Sequence, residues 1–260
     1  MANKIKELWA QGKPALNGWL AIPNAFTAEV MAQGGFDSLT VDLQHGIQDY
    51  MSMVACFQGI QGMANPPVLP MVRVPWNEPG IIGKVVDAGA YGVICPMVNT
   101  KAEAEALVSF MRYPPMGKRS NGPIRAGIYG VYGSAGTYQA TANDEVLCIP
   151  MIETQEAIDN LDAILDVPGI DCVYIGPSDL AFSRGGTPVL DQEGKEALDT
   201  YEQVLKATQK QGVRAGIHCG KPEYAVRMIK MGFNLVTIAN DSALVLTGAQ
   251  ASVKAVRGGI

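Results

Sequence analysis

The sequence predicts a (β/α)8 barrel built as a single domain over residues 1–260, and three observations carry that expectation. Short runs rich in Val, Ile and Leu recur eight times, each followed by a stretch whose apolar residues have helical spacing. The length matches the roughly 250 residues typical of that fold. Polar residues that read as buried stand at the downstream ends of the apolar runs, the edge at which parallel-sheet folds place their chemistry.

Taken in order, the first strand, 16–22, leads into helical spacing at 27–33, and Gly34-Gly35 follows as a C-cap would. The second, 38–42, ends on Asp42 and precedes a helix at 50–61. The third, 68–72, runs up to Arg73 and is followed by 79–87, with Gly89 just beyond. The fourth, 91–95, leads to 101–111. The fifth, 147–152, stops before Glu153 and a helix at 155–165. The sixth, 172–175, precedes Gly176-Pro177-Ser178-Asp179 and a helix at 191–211 closed by Gly212. The seventh, 214–217, leads past His218 to 222–230, with Gly232 beyond, and the eighth, 235–238, is followed by an alanine-rich stretch at 242–256.

Composition removes several classes of function. Acidic residues outnumber basic ones, 25 to 20, and no basic cluster is interleaved with aromatics, so a polyanion would meet repulsion and nucleic acid is not an expected partner. No apolar run approaches membrane-spanning length, and residues 1–11 mix Lys and Glu without an apolar signal-peptide core. A cytoplasmic protein with no membrane partner is expected. Cys56, Cys95, Cys148, Cys172 and Cys219 form no CxxC pair and three lie in predicted strands, which reads as reduced and structural.

The strongest chemical pair is Glu153 and Asp179, which follow adjacent strands. Two carboxylates held together repel unless a cation lies between them, and a hard divalent ion such as Mg2+ or Mn2+ suits that role, with water and substrate filling its other positions. The plainer alternative is that each N-caps or charges the first turn of the helix after it.

In Val41-Asp42-Leu43-Gln44-His45-Gly46, the Asp can fix the His tautomer and leave the other ring nitrogen free to move a proton, or His45 is simply a loop residue bonded to backbone. Arg73, in an apolar setting, must face an anion. Asp42, Glu153, a substrate carboxylate and a developing enolate oxygen all qualify, and the substrate role is preferred. The sequence has two histidines, which excludes a three-histidine zinc site; His218 and Cys219 remain open as soft ligands, with packing at the barrel mouth preferred for both. Trp19, Asn24 and Trp76 fall near strand ends and either line the pocket or pack the rim. Segment 114–136, with Lys118, Arg119 and Arg125, reads as a lid, a carboxylate site or a solvated loop.

The segments VDLQHG, PMVRVPWNEP, DAGAYGVICPMV, RYPPMGKRS, IPMIETQEAIDNL, GIDCVYIGPSDLAFSRG and MGFNLVTIAND, spread from about Asn17 to Asp241, together resemble the 4-hydroxy-2-oxoheptanedioate aldolase family, which also holds 2-keto-3-deoxy sugar-acid aldolases and macrophomate synthase. The resemblance implies a metal-dependent class II aldolase that cleaves a 4-hydroxy-2-oxo acid reversibly to pyruvate and an aldehyde, with oxaloacetate decarboxylation as a side activity and a place in aromatic or sugar-acid catabolism. It implies Glu153 and Asp179 as ligands of Mg2+, Mn2+ or Co2+, Arg73 on the enolate oxygen, and His45 with Asp42 as the catalytic dyad. Within Gly176-Pro177-Ser178-Asp179, the Ser178 and Asp179 amides match the contacts to the pyruvate carboxylate. Relatives are expected as hexamers of dimers that exchange C-terminal helices, here 242–256. The chain departs from several relatives at Gln44, where Glu is found, and at Ser178, where Ala is frequent.

Two rivals bound this reading. A Schiff-base aldolase needs a strand lysine, and no predicted strand contains one. A barrel that binds a 2-oxo acid and metal without turnover, or a lyase that mainly decarboxylates, differs only in what the site does with its ligand.

Overall fold

The computed structural model describes residues 3–63, 67–128 and 135–259. Eight parallel strands close in sequence order, β1 (Ala15–Leu20), β2 (Ser38–Asp42), β3 (Leu69–Arg73), β4 (Gly92–Cys95), β5 (Leu147–Ile152), β6 (Cys172–Ile175), β7 (Arg214–Cys219) and β8 (Leu235–Asn240). The strands are buried on both faces, which is why they read as nearly continuous apolar runs.

Two apolar cores follow from the alternation of side chains across each strand. One fills the barrel, with Met71, Ile149, Met151, Tyr174 and Leu235 among its members. The other lies between strands and helices and holds Val41, Val72, Ile175, Ala215, Ile217 and Cys219. Helix α1 (Lys4–Ala10) contributes Ile5 and Trp9 to the inner core, and the Trp9 indole N–H donates to the Asn234 carbonyl at 2.8 Å.

The outer ring comprises α2 (Ala25–Ala32), α3 (Tyr50–Met63), α4 (Pro79–Asp87), α5 (Lys101–Met111), α6 (Ile124–Ile128), α7 (Ala135–Glu145), α8 (Gln155–Asp159), α9 (Leu161–Leu165), α10 (Pro177–Ser183), α11 (Lys195–Gln211), α12 (Pro222–Met231) and α13 (Asp241–Gly258). Several bounds differ from those the sequence predicts. β3, β7 and β8 each run further, taking in Arg73, His218 and Asn240. The helix expected at 155–165 divides at Asn160, which leaves helical geometry at φ −97°, ψ 8° while its amide donates to the Asn99 carbonyl at 2.9 Å. The helix expected from 191 begins at Lys195, because Asp191 is taken up in accepting the Gly220 N–H at 2.7 Å. Of the glycines read as C-caps, Gly35, Gly89, Gly212 and Gly232 all have positive φ.

Segment 114–136 is not a bare loop. It contains α6, and α7 begins at its end, while 129–134 lie outside the described residues. Its arginines serve the opposite end of the barrel from the strand C-termini. Arg119 is buried against Asp87 and lies 4.3 Å from the Tyr113 ring centre, and Arg125 reaches the Ala88 carbonyl and Gln61. Asp87 and Ala88 end α4, just before β4 starts, so these cations fasten a helix terminus rather than meet a ligand at the mouth. Lys118 is exposed. All five cysteines are free and buried, in agreement with a structural role. No described helix is long and apolar enough to cross a membrane.

Candidate active site

The C-terminal ends of the strands open onto a cavity of about 320 Å³ lined by Asp42, His45, Arg73, Gly176, Pro177, Ser178 and Asp179, together with Trp19 and His218. Each polar group stands there for a local reason. Asp42 and Arg73 are register partners on β2 and β3, so their side chains leave the sheet at one level. Arg73 donates from Nε to Asp42 Oδ1 at 2.8 Å and from Nη2 to Oδ2 at 2.6 Å, a bidentate pair. Burial alone would raise the Asp42 pKa, but the hydrogen bonds and charge of Arg73, aided by the Trp19 indole and the His45 backbone amide, pull it below the usual value. The Arg73 guanidinium also lies 5.0 Å from the centre of the Trp19 ring.

The sequence left Arg73 several anions, and the structure gives it Asp42. That pairing also changes the expected dyad. Asp42 Oδ1 receives the Gln44 N–H at 3.1 Å and the His45 N–H at 3.3 Å, so it meets His45 through backbone rather than through the ring. The His45 side chain is left exposed at the cavity.

Glu153 is 2% exposed and sits just behind the lining, against Gly176: a Cβ on Gly176 would fall 2.4 Å from Glu153 Oε2. Its Oε1 accepts the Met97 N–H at 2.8 Å, and Met97 holds φ +55°, an uncommon conformation for a side-chain-bearing residue. Burial raises Glu153 to about 7, against the Met97 hydrogen bond, and the charge of Asp179 raises it further while Arg73 opposes. The capping alternative does not account for Glu153, because Thr154 caps α8 by accepting the Ala157 N–H at 3.0 Å. Asp179 sits in the first turn of α10, whose N-cap, Gly176, offers no side-chain acceptor, so the Ser178 and Asp179 amides open that helix uncapped.

A desolvated carboxylate that feels a second carboxylate is short of positive charge, and this pair could hold a divalent cation. Among the described residues no group of three or more His, Cys, Asp or Glu side chains converges as in a closed structural metal site. Two protein oxygens fit an ion that keeps several positions for water and substrate better than a closed structural site.

Sequence reasoning underused two residues. Trp19 lines the cavity as one of its alternatives held, and His218, read as mouth packing, is also on the wall. The signal was the period of two in β7, which puts Ala215, Ile217 and Cys219 in the outer core and His218 inside. Asn24 caps α2 by accepting the Phe26 and Thr27 N–H groups, and Trp76 is 56% exposed, so neither belongs to this wall. Among the described residues no strand carries a lysine, and none lines the cavity.

Comparison with known proteins places the chain in a family. The HpcH/HpaI aldolase/citrate lyase family profile matches residues 17–247. A hydroxypyruvate/pyruvate aldolase of Rhizorhabdus wittichii is 41% identical over 95% of this chain and 96% of its own length. A 4-hydroxy-2-oxo-heptane-1,7-dioate aldolase of Salmonella dublin is 34% identical over 96% of this chain and 93% of its own. The crystal structure of an HpcH/HpaI aldolase/citrate lyase family protein from Burkholderia cenocepacia superposes with a TM-score of 0.89 at 29% identity, covering 98% of this chain and 100% of that one. The chain belongs to the HpcH/HpaI aldolase/citrate lyase family.

Proposed function

We propose that the protein is a metal-dependent class II aldolase, an aldehyde-lyase that cleaves a 4-hydroxy-2-oxo acid reversibly to pyruvate and an aldehyde. The observation that carries this reading is the pair Glu153 and Asp179 at a cavity that also holds Arg73 and, among the described residues, no lysine, where charge released by carbon–carbon scission needs a cationic partner. The names of the two relatives, both aldolases of 2-oxo acids, support it.

Glu153 and Asp179 would hold the cation, Mg2+, Mn2+ or Co2+, which supplies Lewis-acid polarisation of the 2-oxo acid. Ser178 and Asp179 offer backbone N–H groups to the substrate carboxylate at the start of α10, beside Gly176 and Pro177. Arg73, held rigid by Asp42, faces the oxygen on which enolate charge gathers as the bond between carbons three and four breaks. His45, free of side-chain partners among the described residues, takes the proton of the 4-hydroxyl, and Asp42 holds its backbone in place. In reverse the same groups join pyruvate to an aldehyde, and oxaloacetate reaches the same enolate by losing carbon dioxide.

We also infer a homo-oligomer. Helix α13 carries Leu244, Val245, Leu246, Val253 and Val256 exposed, with Asp241 as its buried residue, a face suited to exchange with a neighbouring copy as the family resemblance implies.

The test is proton exchange at the pyruvate methyl in heavy water, followed by NMR. Exchange that requires a divalent metal, stops with chelator and is lost in His45→Ala supports the aldolase; absence of exchange with every metal supports a binding protein instead.

A further inference from the structure

On the flank of the barrel, α4 and the chain that follows α5 line a second cavity, of about 360 Å³, which shares no lining residue with the one at the strand ends. Its charged and hydroxylated side chains are Lys84 and Asp87 on α4 and Lys118, Arg119 and Ser120 on the facing segment, while Pro79 and Phe110 supply apolar wall. The facing segment is pinned by its backbone. The Lys118 amide donates to the Ser109 carbonyl at 2.7 Å and the Arg119 amide to the Arg112 carbonyl at 2.9 Å, so the two cations are carried on a fixed frame.

The wall carries more positive than negative charge. Asp87 is matched by Arg119, whose Nη2 donates to it and to the Tyr138 hydroxyl at 3.1 Å. The neighbouring Glu78 carboxylate is taken up by the Gly80 and Ile81 amides, each at 2.9 Å. Lys84 and Lys118, both exposed, pair with no carboxylate among the described residues; Lys84 Nζ has only the Tyr50 ring, 4.6 Å from its centre. Arg119 is 5% exposed, and its Nε and Nη1 are buried without a hydrogen-bond partner. Buried donors left unmade cost free energy, and a ligand that supplies acceptor oxygens recovers it.

We propose that this cavity is an anion site, separate from the aldolase centre, that takes a phosphate dianion, either free or as the phosphate group of a small ester. Two uncompensated ammonium groups match its charge, and Arg119 with the Ser120 hydroxyl adds donors to its oxygens. The cavity is larger than a lone phosphate needs, and Phe110 and Pro79 give the organic part of an ester an apolar surface.

The experiment is calorimetric titration of the full chain, without added metal and in a chloride buffer, with inorganic phosphate and with glycerol 3-phosphate as probes. Saturable binding is expected, weakened about tenfold for both probes in Lys84→Gln/Lys118→Gln. Gly83 lines the cavity, and a Cβ there meets nothing within 4 Å, so Gly83→Leu fills open space without changing charge and is expected to weaken glycerol 3-phosphate about tenfold. Lys210→Gln/Lys230→Gln, the same charge change on α11 and α12, should leave both affinities within about twofold. Tighter binding of the ester assigns the site to phosphate esters, and equal or weaker binding of the ester assigns it to the free ion; both uphold it. If Gly83→Leu does not fold, the two lysine pairs decide. No saturable binding of either probe, equal weakening in both lysine pairs, or native affinities in Lys84→Gln/Lys118→Gln would overturn the assignment.

Discussion

Asp42 and Arg73, register partners across β2 and β3, bind one another through two hydrogen bonds at the cavity wall, so the guanidinium is held in a fixed orientation there. In the proposed reaction such preorganisation would let Arg73 act on developing charge without rearranging. Arg73→Ala is expected to lower kcat by roughly 10²–10³. It also leaves Asp42 buried without its partner, a loss of about 3 kcal/mol in urea denaturation. The double variant Asp42→Asn/Arg73→Ala should recover part of that stability, since it removes the stranded charge, without recovering turnover.

Glu153 yields a pH prediction. Its folded-state pKa, about 7, lies above the ordinary 4.5, so the folded protein without metal holds an extra proton between those values. Stability therefore falls as pH rises from about 4.5 to 7, by roughly 3 kcal/mol from this group, and levels off above. Glu153→Gln should flatten that slope in chemical denaturation followed across pH. Added manganese should stabilise the protein more at pH 8 than at pH 5, because the ion competes with the proton for the carboxylate.

Gly176 is a tight steric point of the site. A methyl group there would stand 2.4 Å from Glu153 Oε2 and 3.0 Å from Met151 Cε. Gly176→Ala is expected to cost about 1–3 kcal/mol of stability and, by displacing the carboxylate, to weaken manganese binding at least tenfold as measured by calorimetry.

Much of this arrangement was legible in the chain because parallel strands buried on both faces write themselves as unbroken apolar runs. Glu153 and Asp179 stood out because a carboxylate directly after such a run has few ordinary reasons to be there. The partner of Asp42 was not legible: His45 is near it in sequence and Arg73 is near it across the sheet, and only register decides between them. Ending the seventh strand at 217 instead of Cys219 hid the inward direction of His218. Arg119 and Arg125 looked available because their partners, Asp87 and the Ala88 carbonyl, are distant in sequence. The positive φ of Met97, which aims an N–H at Glu153, has no signature in the residue itself.

Helix α13 exposes Leu246 at 58% and Val253 at 49% on a helix that buries almost nothing in its own chain. Replacing both by Glu should leave the barrel folded by circular dichroism and reduce the mass measured by light scattering to that of a smaller assembly. An unchanged mass would place the subunit contacts elsewhere.

Whether Glu153 and Asp179 share one divalent cation is decided by anomalous diffraction from crystals soaked in manganese and oxalate. A single manganese peak is expected within about 2.0–2.2 Å of an oxygen from each carboxylate, with oxalate filling adjacent positions. A peak bound by one carboxylate alone, or none between Glu153 and Asp179 at saturating manganese, would contradict it.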